Sequence, residues 1–170
     1  GILAGDYLKE ASDSNIRMNA VGLLFRYGYF DQKISPFGDQ ISEYIPQKFS
    51  NLPIIPVRDE NGEWQKISIS FPGRNVTAKV WKVEVGRVNL YLLDADIDEN
   101  NAQDRVLTHK LYGGDWEMRL KQEMLLGLGG IKMLNQIGLE HDVYHCNEGH
   151  AALMLLERLK NIIHDEVLSF

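Results

Sequence analysis

The middle of the chain alternates polar and apolar residues, and this pattern constrains the fold more than any other feature. Lys66–Phe71 and Thr77–Val85 both follow a period of two, which places successive side chains on opposite faces of a strand. Val88–Leu93 continues the pattern after Gly86 and Arg87, a pair typical of a turn. The pattern therefore predicts an antiparallel hairpin or meander with one buried face and one face in solvent.

Helical periodicity flanks this β-rich segment on both sides. Residues 1–12 carry apolar or small residues at helical spacing, and the apolar run Ala20–Phe25 after them predicts a buried strand. On the other side, residues 115–136 carry an apolar stripe, with Asp115 as the predicted N-cap and Gly138 as the residue that ends the helix. A helix followed by a buried strand indicates an α/β layer. Because the chain begins inside a helical pattern, we expect a piece of a longer protein.

Three segments between these elements are predicted from local composition. Aromatic residues and glycine in residues 26–37 favour a shaped surface loop. We expect short helices over residues 39–48 and 101–111.

The C-terminal part of the sequence places polar side chains at a predicted turn. Residues 142–146 are typical of a strand and residues 149–163 of a helix, so Asn147-Glu148-Gly149-His150 would join the two. In open α/β sheets, ligands bind where a strand ends and a helix begins. Either a binding turn or an ordinary helix cap would suit this sequence.

Composition and charge exclude several classes of protein. The 170 residues are 44% hydrophobic and 25% charged, which is ordinary for a globular chain. The net charge of −6 disfavours a general nucleic-acid binder, which needs a positive patch. No apolar run approaches the roughly 20 residues of a membrane span, and no signal peptide is seen. The single Cys146 cannot form an intrachain disulfide, which fits a reducing compartment and a cytoplasmic location.

Two acidic or histidine-rich segments resemble metal sites, but their spacing does not suit a metal. Asp94–Asp98 imitates the start of a calcium loop, yet Glu99 stands where that loop needs glycine, and Arg105 stands where it needs glutamate. We therefore expect a solvated acidic turn that caps a helix. Zinc could be bound by three histidines and a cysteine, but their spacing does not place them on one face of a helix. These residues are His141, His145, Cys146 and His150. We expect no metal.

Glycines at 127, 129 and 130 lie inside the apolar helical pattern. A phosphate-binding loop would stand between a strand and a helix start. We therefore expect close packing of this helix against a neighbouring element.

Three segments together resemble the α-glucan phosphorylase family, which includes the glycogen, starch and maltodextrin phosphorylases. They are residues 1–12 (GILAGDYLKEAS) with the following 21–32 (VGLLFRYGYFDQ), residues 111–123 (LYGGDWEMRLKQE) and residues 143–152 (VYHCNEGHAA). The resemblance extends over essentially all 170 residues. It implies an α/β fold in which residues 1–170 are a single partial domain, part of the N-terminal Rossmann-like domain of a glycosyltransferase-B-type fold, with an inserted antiparallel β-rich segment.

The resemblance also implies an activity for the parent protein. Members of the family transfer the terminal glucose of an α-1,4-glucan to orthophosphate, giving glucose 1-phosphate with retention. They use pyridoxal phosphate held by a lysine of the C-terminal domain, which would lie beyond Phe170. We therefore expect the isolated chain to be inactive and to bind no cofactor. The expected partners are α-1,4-glucan and orthophosphate, with no nucleic acid and no membrane. The resemblance allows allosteric control and assembly into homo-oligomers.

Five residues match positions of the family that lie at the glucan cleft. His150 matches the histidine that contacts the reacting glucose through its side chain and its backbone carbonyl. Asn147 begins the same turn, and we expect it to hold the turn and to contact substrate. Tyr112, Gly113 and Gly114 match the start of the mobile loop that gates the cleft. Here that loop is shorter and lacks the usual Asn-Asp-Asn stretch, which indicates a short-loop subgroup of bacterial or archaeal type.

Two other functions are compatible with parts of this sequence. One is the N-terminal part of a nucleotide-sugar glucosyltransferase of the starch synthase kind, although the Lys-x-Gly-Gly-Leu loop of those enzymes is not seen. The other is a non-catalytic carbohydrate-binding module that uses Tyr27, Tyr29 and Phe30 as a stacking platform.

Overall fold

A computed structural model describes residues 2–111 and 113–165 and shows a mixed α/β fold. Four α-helices are present in this part of the chain: α1 (Ile2–Asp13), α2 (Ala102–Arg105), α3 (Trp116–Gln136) and α4 (Met154–Asp165). Its strands are β1 (Asn19–Leu23), β2 (Asp31–Ile34), β3 (Gln40–Glu43), β4 (Ile55–Pro56), β5 (Lys66–Phe71), β6 (Arg74–Val85) and β7 (Val88–Asp94). Within the described residues, no helix has the length and apolar character to cross a membrane.

The central sheet confirms the antiparallel meander that the alternating pattern predicts. β5 pairs antiparallel with the first half of β6, and the second half of β6 pairs antiparallel with β7. Gly86, at φ +60°, forms the turn between β6 and β7. β1 joins β7 in parallel, with Val21 opposite Tyr91. β4 pairs with β6 beyond β5, so the sheet order is β1-β7-β6, with β4 and β5 sharing the far edge of β6.

Helices pack on both faces of this sheet, so the predicted solvent face is found along β5, where burial alternates, but is wrong at β7, where α1 covers it. Val88 is fully buried beside Leu8 and Ala11 of α1. The neighbouring residues Tyr91 and Leu93 point to the opposite face, into the larger core that α3 completes. Burial of each large apolar side chain contributes roughly 2 kcal/mol relative to exposure. The predicted α/β layer is confirmed, with α1 on one face of the sheet and α3 on the other.

The boundaries of α3 follow the sequence prediction. The Asp115 carboxylate accepts a hydrogen bond from the Met118 N–H at 2.9 Å, so Asp115 is the N-cap. At the other end, Gly138 adopts φ +70°, and the Leu139 N–H donates to the Leu134 carbonyl at 2.9 Å. This is the bonding pattern of a glycine-terminated helix.

Three glycines bring α3 unusually close to its neighbours. A Cβ at Gly127 would lie 2.8 Å from the backbone nitrogen of Met154. A Cβ at Gly129 would lie 3.1 Å from Ile67, and one at Gly130 would lie 3.2 Å from Val21. The predicted use of these glycines in close packing is confirmed. Residues 127, 129 and 130 are called the glycine seam below.

The loop predicted over residues 26–37 is confirmed for 26–30 and 35–37 but is wrong for 31–34, and the helix predicted over residues 39–48 is wrong. The segment predicted to be a loop contains β2, and the segment predicted to be a helix contains β3, which pairs antiparallel with β2 in a separate two-stranded sheet. Gly38 adopts φ +90° between them, and the Ser35 hydroxyl accepts a hydrogen bond from the Asp39 N–H at 3.0 Å. This turn reverses the chain, so residues 40–43 pair with β2 instead of closing helical hydrogen bonds.

Two helix predictions and one strand prediction also need correction. Residues 142–146 form no strand, because they make no ladder with an edge of the sheet. α4 begins at Met154 rather than at residue 149, after a series of turns at 148–153. Asn147–His150 therefore does not join a strand to a helix. In the predicted helix over residues 101–111, α2 ends at Arg105, and Val106–Thr108 tighten into a 3₁₀ turn.

Candidate functional site

The turn that carries His150 contains a backbone conformation that only a few residue types adopt readily. Glu148 has φ +59°, in the left-handed region that favours glycine. The Cys146 thiol donates a hydrogen bond to the Glu148 carbonyl oxygen at 2.7 Å and helps to hold this conformation. Strained residues of this kind cluster at ligand and active sites. No pattern in the sequence indicates strain at Glu148.

The imidazole of His150 is partly exposed, and its backbone carbonyl accepts no hydrogen bond from a described backbone N–H. Its side chain is 34% exposed, and its Nε2 lies 3.4 Å from a carboxylate oxygen of Glu148. In this turn, backbone N–H groups donate to the carbonyls of Gly149 and Ala151. No backbone N–H of the described residues donates to the carbonyl of His150, which lies between them in the sequence. The imidazole and the carbonyl of His150 can therefore both receive a substrate group.

Asn147 is exposed, and the structure shows no hydrogen bond from its side chain to another described residue. The turn is held by Cys146 instead, which also packs against the main core. The amide of Asn147 therefore points to no protein partner in this part of the chain. Its predicted role in contacting substrate stays a prediction.

Neighbouring side chains attach the segment before this turn to three elements. The Asn19 side-chain amide of β1 lies 2.9 Å from the Nε2 of His141. His145 stacks on Tyr7 of α1, with ring centroids 6.4 Å apart. The Arg158 guanidinium of α4 lies 3.8 Å above the ring of Tyr144. These contacts occupy the histidines separately, and the described residues contain no group of three or more potential metal ligands.

The second part of the predicted site lies at the start of α3. Gly114 adopts φ +86°, and a Cβ there would lie 2.7 Å from the Met118 side chain. A Cβ at Gly113 would lie 2.8 Å from the Cβ of Lys110, so both glycines are required by close approach. Tyr112 lies outside the described residues. No hydrogen bond or ion pair between described residues joins this loop to the turn at 147–150.

The prediction of a solvated acidic turn at Asp94–Asp98 is wrong for its first two carboxylates. Asp94 is 1% exposed and lies 3.3 Å from the Lys79 ammonium. Asp96 is half-buried, with 9% of its side chain exposed, whereas the side chain of Asp98 is 95% exposed. The sequence pattern shows the acidic residues, but it does not show that basic partners from distant positions cover two of them.

Asp96 is the centre of a charge cluster at the carboxyl ends of β1 and β7. It pairs with Arg26 at 2.8 Å and Arg105 at 2.8 Å, and the Nε2 of His109 lies 3.3 Å away. Burial opposes ionisation, but the Arg105 hydrogen bond and the charges of Arg26, His109 and Arg105 outweigh it, so the pKa of Asp96 lies below its ordinary value. The cluster fixes the chain that leads to Gly113. Sequence reasoning missed it, although the basic residues flanking the acidic run were a usable indication.

The three aromatic residues considered as a stacking platform do not form one. Tyr27 packs edge-on against His109, and Phe30 packs edge-on against Tyr44. Tyr29 alone remains largely free, with 69% of its surface exposed.

The similarities of the chain to known proteins agree with the predicted resemblance. It is 42% identical over 159 residues to a maltodextrin phosphorylase of Thermococcus litoralis, covering 94% of this chain and 19% of that protein. It is 40% identical to a glycogen phosphorylase of Mycobacterium tuberculosis, covering 100% of this chain and 20% of that protein. A glycogen phosphorylase of Aquifex aeolicus is 32% identical, with 96% of this chain and 24% of that protein covered. No protein-family model matches the chain.

The chain thus spans between about a fifth and a quarter of the length of these relatives. The similarity extends from the helix that precedes β1 to the turn that carries His150, which includes every described part of the candidate site. Its extent and identity exclude a chance match of a few short motifs. Over nearly its whole length, the chain is therefore a homologue of one part of the α-glucan phosphorylases, and it belongs to that family.

Proposed function

We propose that the chain is a glucan-binding part of an α-1,4-glucan phosphorylase located in the cytoplasm. The parent protein would transfer the terminal glucose of the glucan to orthophosphate and release glucose 1-phosphate with retention. The names of the similar proteins support this reaction class. The structural observation that carries the proposal is the strained turn at Glu148, in which the imidazole of His150 is partly exposed and its carbonyl has no backbone hydrogen bond among the described residues.

A Rossmann-like domain of a glycosyltransferase-B-type fold is part of this proposal. The parallel pair β1 and β7, covered by α1 and α3 on opposite faces, supports it. β5 and the first half of β6 would then be the inserted antiparallel segment. The domain would extend beyond residues 1–170, since the relatives are about four to five times as long.

His150 can contribute to this reaction in two ways. Its imidazole can exchange a hydrogen bond with a sugar hydroxyl and so orient the terminal glucose. Its backbone carbonyl, left free by the turn, presents a negative dipole end. Such a dipole favours the positive charge that develops at the anomeric carbon during cleavage of a glycosidic bond.

The described residues do not fit a pyridoxal phosphate site. The cofactor needs an available lysine in a cavity, where the lysine can form a Schiff base. Lys79 has the least exposed side chain among the ion-paired lysines of the described residues, at 20%, but its ammonium pairs with Asp94 and lies against the rings of Trp64 and Trp81. We therefore propose that a part of the parent protein outside this sequence binds the cofactor, whose phosphate supplies acid–base chemistry when it is bound.

The test uses the full-length parent protein and the 170-residue chain. With maltodextrin and orthophosphate, the parent should form glucose 1-phosphate, and His150→Ala should lower kcat/KM by about 10²-fold or more. His164→Ala is the matched control, because His164 is an exposed histidine of α4, and it should retain activity. The 170-residue chain should form no product even with pyridoxal phosphate added.

Two results would contradict the proposal. Full activity of His150→Ala would remove His150 from the site. A parent protein that uses a nucleotide sugar, and that lacks the near-ultraviolet and visible absorption of bound pyridoxal phosphate, would be a glucosyltransferase of the starch synthase kind. No feature of the described residues favours that alternative.

A further inference from the structure

Residues 140–148 lead from the end of α3 to the turn that carries His150, and they lack the backbone contacts that fix most of a folded chain. They belong to neither a helix nor a strand. None of their backbone N–H or carbonyl groups pairs with another backbone group of the described residues. Most hydrogen bonds that position a protein backbone are of this kind. The side chains of this segment therefore determine where the turn at 147–150 lies.

Tyr144 holds the middle of this segment. Its half-buried ring packs against the main core, and the His141 ring meets it edge-on, with centroids 5.9 Å apart. The Arg158 guanidinium of α4 lies 3.8 Å from the centroid of the Tyr144 ring. A guanidinium within about 6 Å of an aromatic centroid is attracted to the negative face of the ring, and the attraction increases as water is excluded.

Arg158 serves this ring rather than a salt bridge. The structure shows no ion pair and no hydrogen bond between its side chain and another described residue. Lys160 in the same helix pairs instead with Glu157 at 3.3 Å. Because a half-buried arginine loses conformational freedom, a contact that orders it must offset that loss. Among the described residues, that contact is with Tyr144.

The contact between Tyr144 and Arg158 closes a loop around His150. Residues 145–157 lie between the two partners in the sequence, and His150 stands near the middle. The far side of the loop is fixed in turn, because the start of α4 packs closely against the glycine seam of α3. A loop whose two ends are held together has fewer conformations than an open one.

Cys146 connects Tyr144 to the strained part of the turn. It packs against the main core, two residues after Tyr144, and its thiol donates to the carbonyl oxygen of Glu148 at 2.7 Å. Displacement of the Tyr144 ring would move Cys146 and would release the left-handed conformation at Glu148. The imidazole and the carbonyl of His150 would then change direction.

We propose that Arg158 is a positioning residue for His150. It would act through Tyr144 and Cys146 and would contact no substrate. This role rests on the proposed function, in which His150 acts on the reacting glucose. A misplacement of about 1 Å can lower the rate of an enzyme about 100-fold. The effect should fall on kcat, because the carbonyl of His150 acts on charge that develops only in the transition state.

The first measurement is phosphorolysis of maltodextrin by the full-length parent protein. Arg158→Met keeps a long side chain but removes its charge. It should lower kcat about tenfold, which corresponds to about 1.4 kcal/mol, and leave the KM for orthophosphate within about twofold. Arg158→Lys keeps a cation over the ring, so its kcat should lie within about threefold of the unmodified protein. Arg17→Met is the matched control, because Arg17 is exposed ahead of β1, and it should leave kcat unchanged.

Substitutions of the ring test whether Arg158 acts through Tyr144. Tyr144→Leu should lower kcat as much as Arg158→Met, and the double variant should lose no more than about twofold beyond either one, since both remove the same contact. Tyr144→Phe keeps the ring and should retain kcat. If Tyr144→Leu does not fold, the comparison of Arg158→Met with Arg158→Lys decides the question alone.

The second measurement needs no turnover. The Cys146 thiol is half-buried and hydrogen-bonded, so it should react slowly with iodoacetamide while the segment is held. In the parent protein, Arg158→Met should raise the rate of its alkylation about tenfold, because opening of the segment exposes the thiol. Mass spectrometry of the peptide that contains Cys146 measures this rate. Arg17→Met should leave it unchanged.

The outcomes separate this proposal from the proposed function. An unchanged kcat or an unchanged alkylation rate in Arg158→Met overturns the role of Arg158. A KM for orthophosphate that rises in Arg158→Met but not in Tyr144→Leu also overturns it, because the guanidinium would then bind the substrate. If the parent phosphorolyses no glucan but alkylation of Cys146 still depends on Arg158, the proposed function fails, and Arg158 still positions the turn.

Discussion

The Arg74 guanidinium donates two hydrogen bonds to the Asp104 carboxylate, at 2.6 and 2.7 Å, and so connects the start of β6 to α2. Asp104 is 1% exposed, and it also accepts a hydrogen bond from the Asn101 side chain at 2.6 Å. The hydrogen bonds from Arg74 keep the pKa of Asp104 below its ordinary value despite burial. The ionised carboxylate therefore stabilises the folded chain.

This lowered pKa predicts how stability depends on pH. A carboxylate whose pKa is lower in the folded than in the unfolded chain stabilises the fold above about pH 4, and this contribution is lost as the pH falls through the folded value. We expect the free energy of unfolding to fall steeply below about pH 4, and Asp104→Asn to flatten this dependence. Urea unfolding between pH 2 and 7 measures both. The exposed Asp98→Asn is the control, and an unchanged slope in Asp104→Asn would contradict the prediction.

Asp96 and Asp98 both contact Arg105, but they differ in burial, and their substitutions should differ accordingly. Asp96→Asn leaves Arg26 without a counter-charge, and leaves Arg105 with only the exposed Asp98, so it should lower the free energy of unfolding by about 3 kcal/mol. Asp98→Asn removes only an exposed contact and should change stability little. Denaturant titration tests the pair. Similar effects of the two substitutions would show that Asp96 does not organise the cluster.

The glycine seam predicts how much the free energy of unfolding falls when a single methyl group is added to one of its glycines. Gly127→Ala places its Cβ 2.8 Å from the Met154 backbone nitrogen, so α3 and α4 must move apart, at a cost of about 1–3 kcal/mol. Gly5→Ala is the matched control. It lies in α1 with no atom within 4 Å of the added Cβ, and it should stabilise the chain by up to about 1 kcal/mol. Thermal unfolding distinguishes them, since the two melting temperatures should move in opposite directions.

The conformation of Glu148 predicts that stability and activity change in opposite directions. Glu148→Gly removes a left-handed conformation that costs a non-glycine residue roughly 1 kcal/mol, so the folded chain should gain stability or keep it. In the parent protein the same change removes the side chain beside His150 and should reduce phosphorolysis. The measurements are unfolding by urea and initial rates with maltodextrin. Asn15→Gly, at φ +54°, repeats the backbone change away from the turn and should leave the rates unchanged.

The sequence predicts those elements whose period and boundaries are set locally. The alternation in Lys66–Phe71 and the Asp115 cap of α3 both appear in the structure because the residues that define them lie within one element. β3 was predicted incorrectly because Ile41 and its neighbours suit a helix as well as a strand. The turn at Gly38 decides between them by pairing these residues with β2.

The sequence predicts only those parts of the candidate site that depend on residues close together in the chain. His150 could be selected because polar residues crowd one turn, but the left-handed conformation of Glu148 depends on a thiol hydrogen bond that no periodicity shows. The burial of Asp96 depends on Arg26, which is 70 residues away in the chain. Long-range pairing of charges follows from the sheet order, which composition and spacing do not specify.

The glycine seam determines how α3 can move. If α3 rotated about its axis by one residue, a leucine side chain would take the place of a glycine at the contact with β1, β5 or α4. The close contacts at the glycine seam therefore prevent α3 from rotating about its own axis, and the helix cannot transmit motion by such a rotation. Any change in the direction of the chain ahead of α3 would therefore have to occur before the Asp115 cap, at Gly113 or at Gly114 with its φ of +86°.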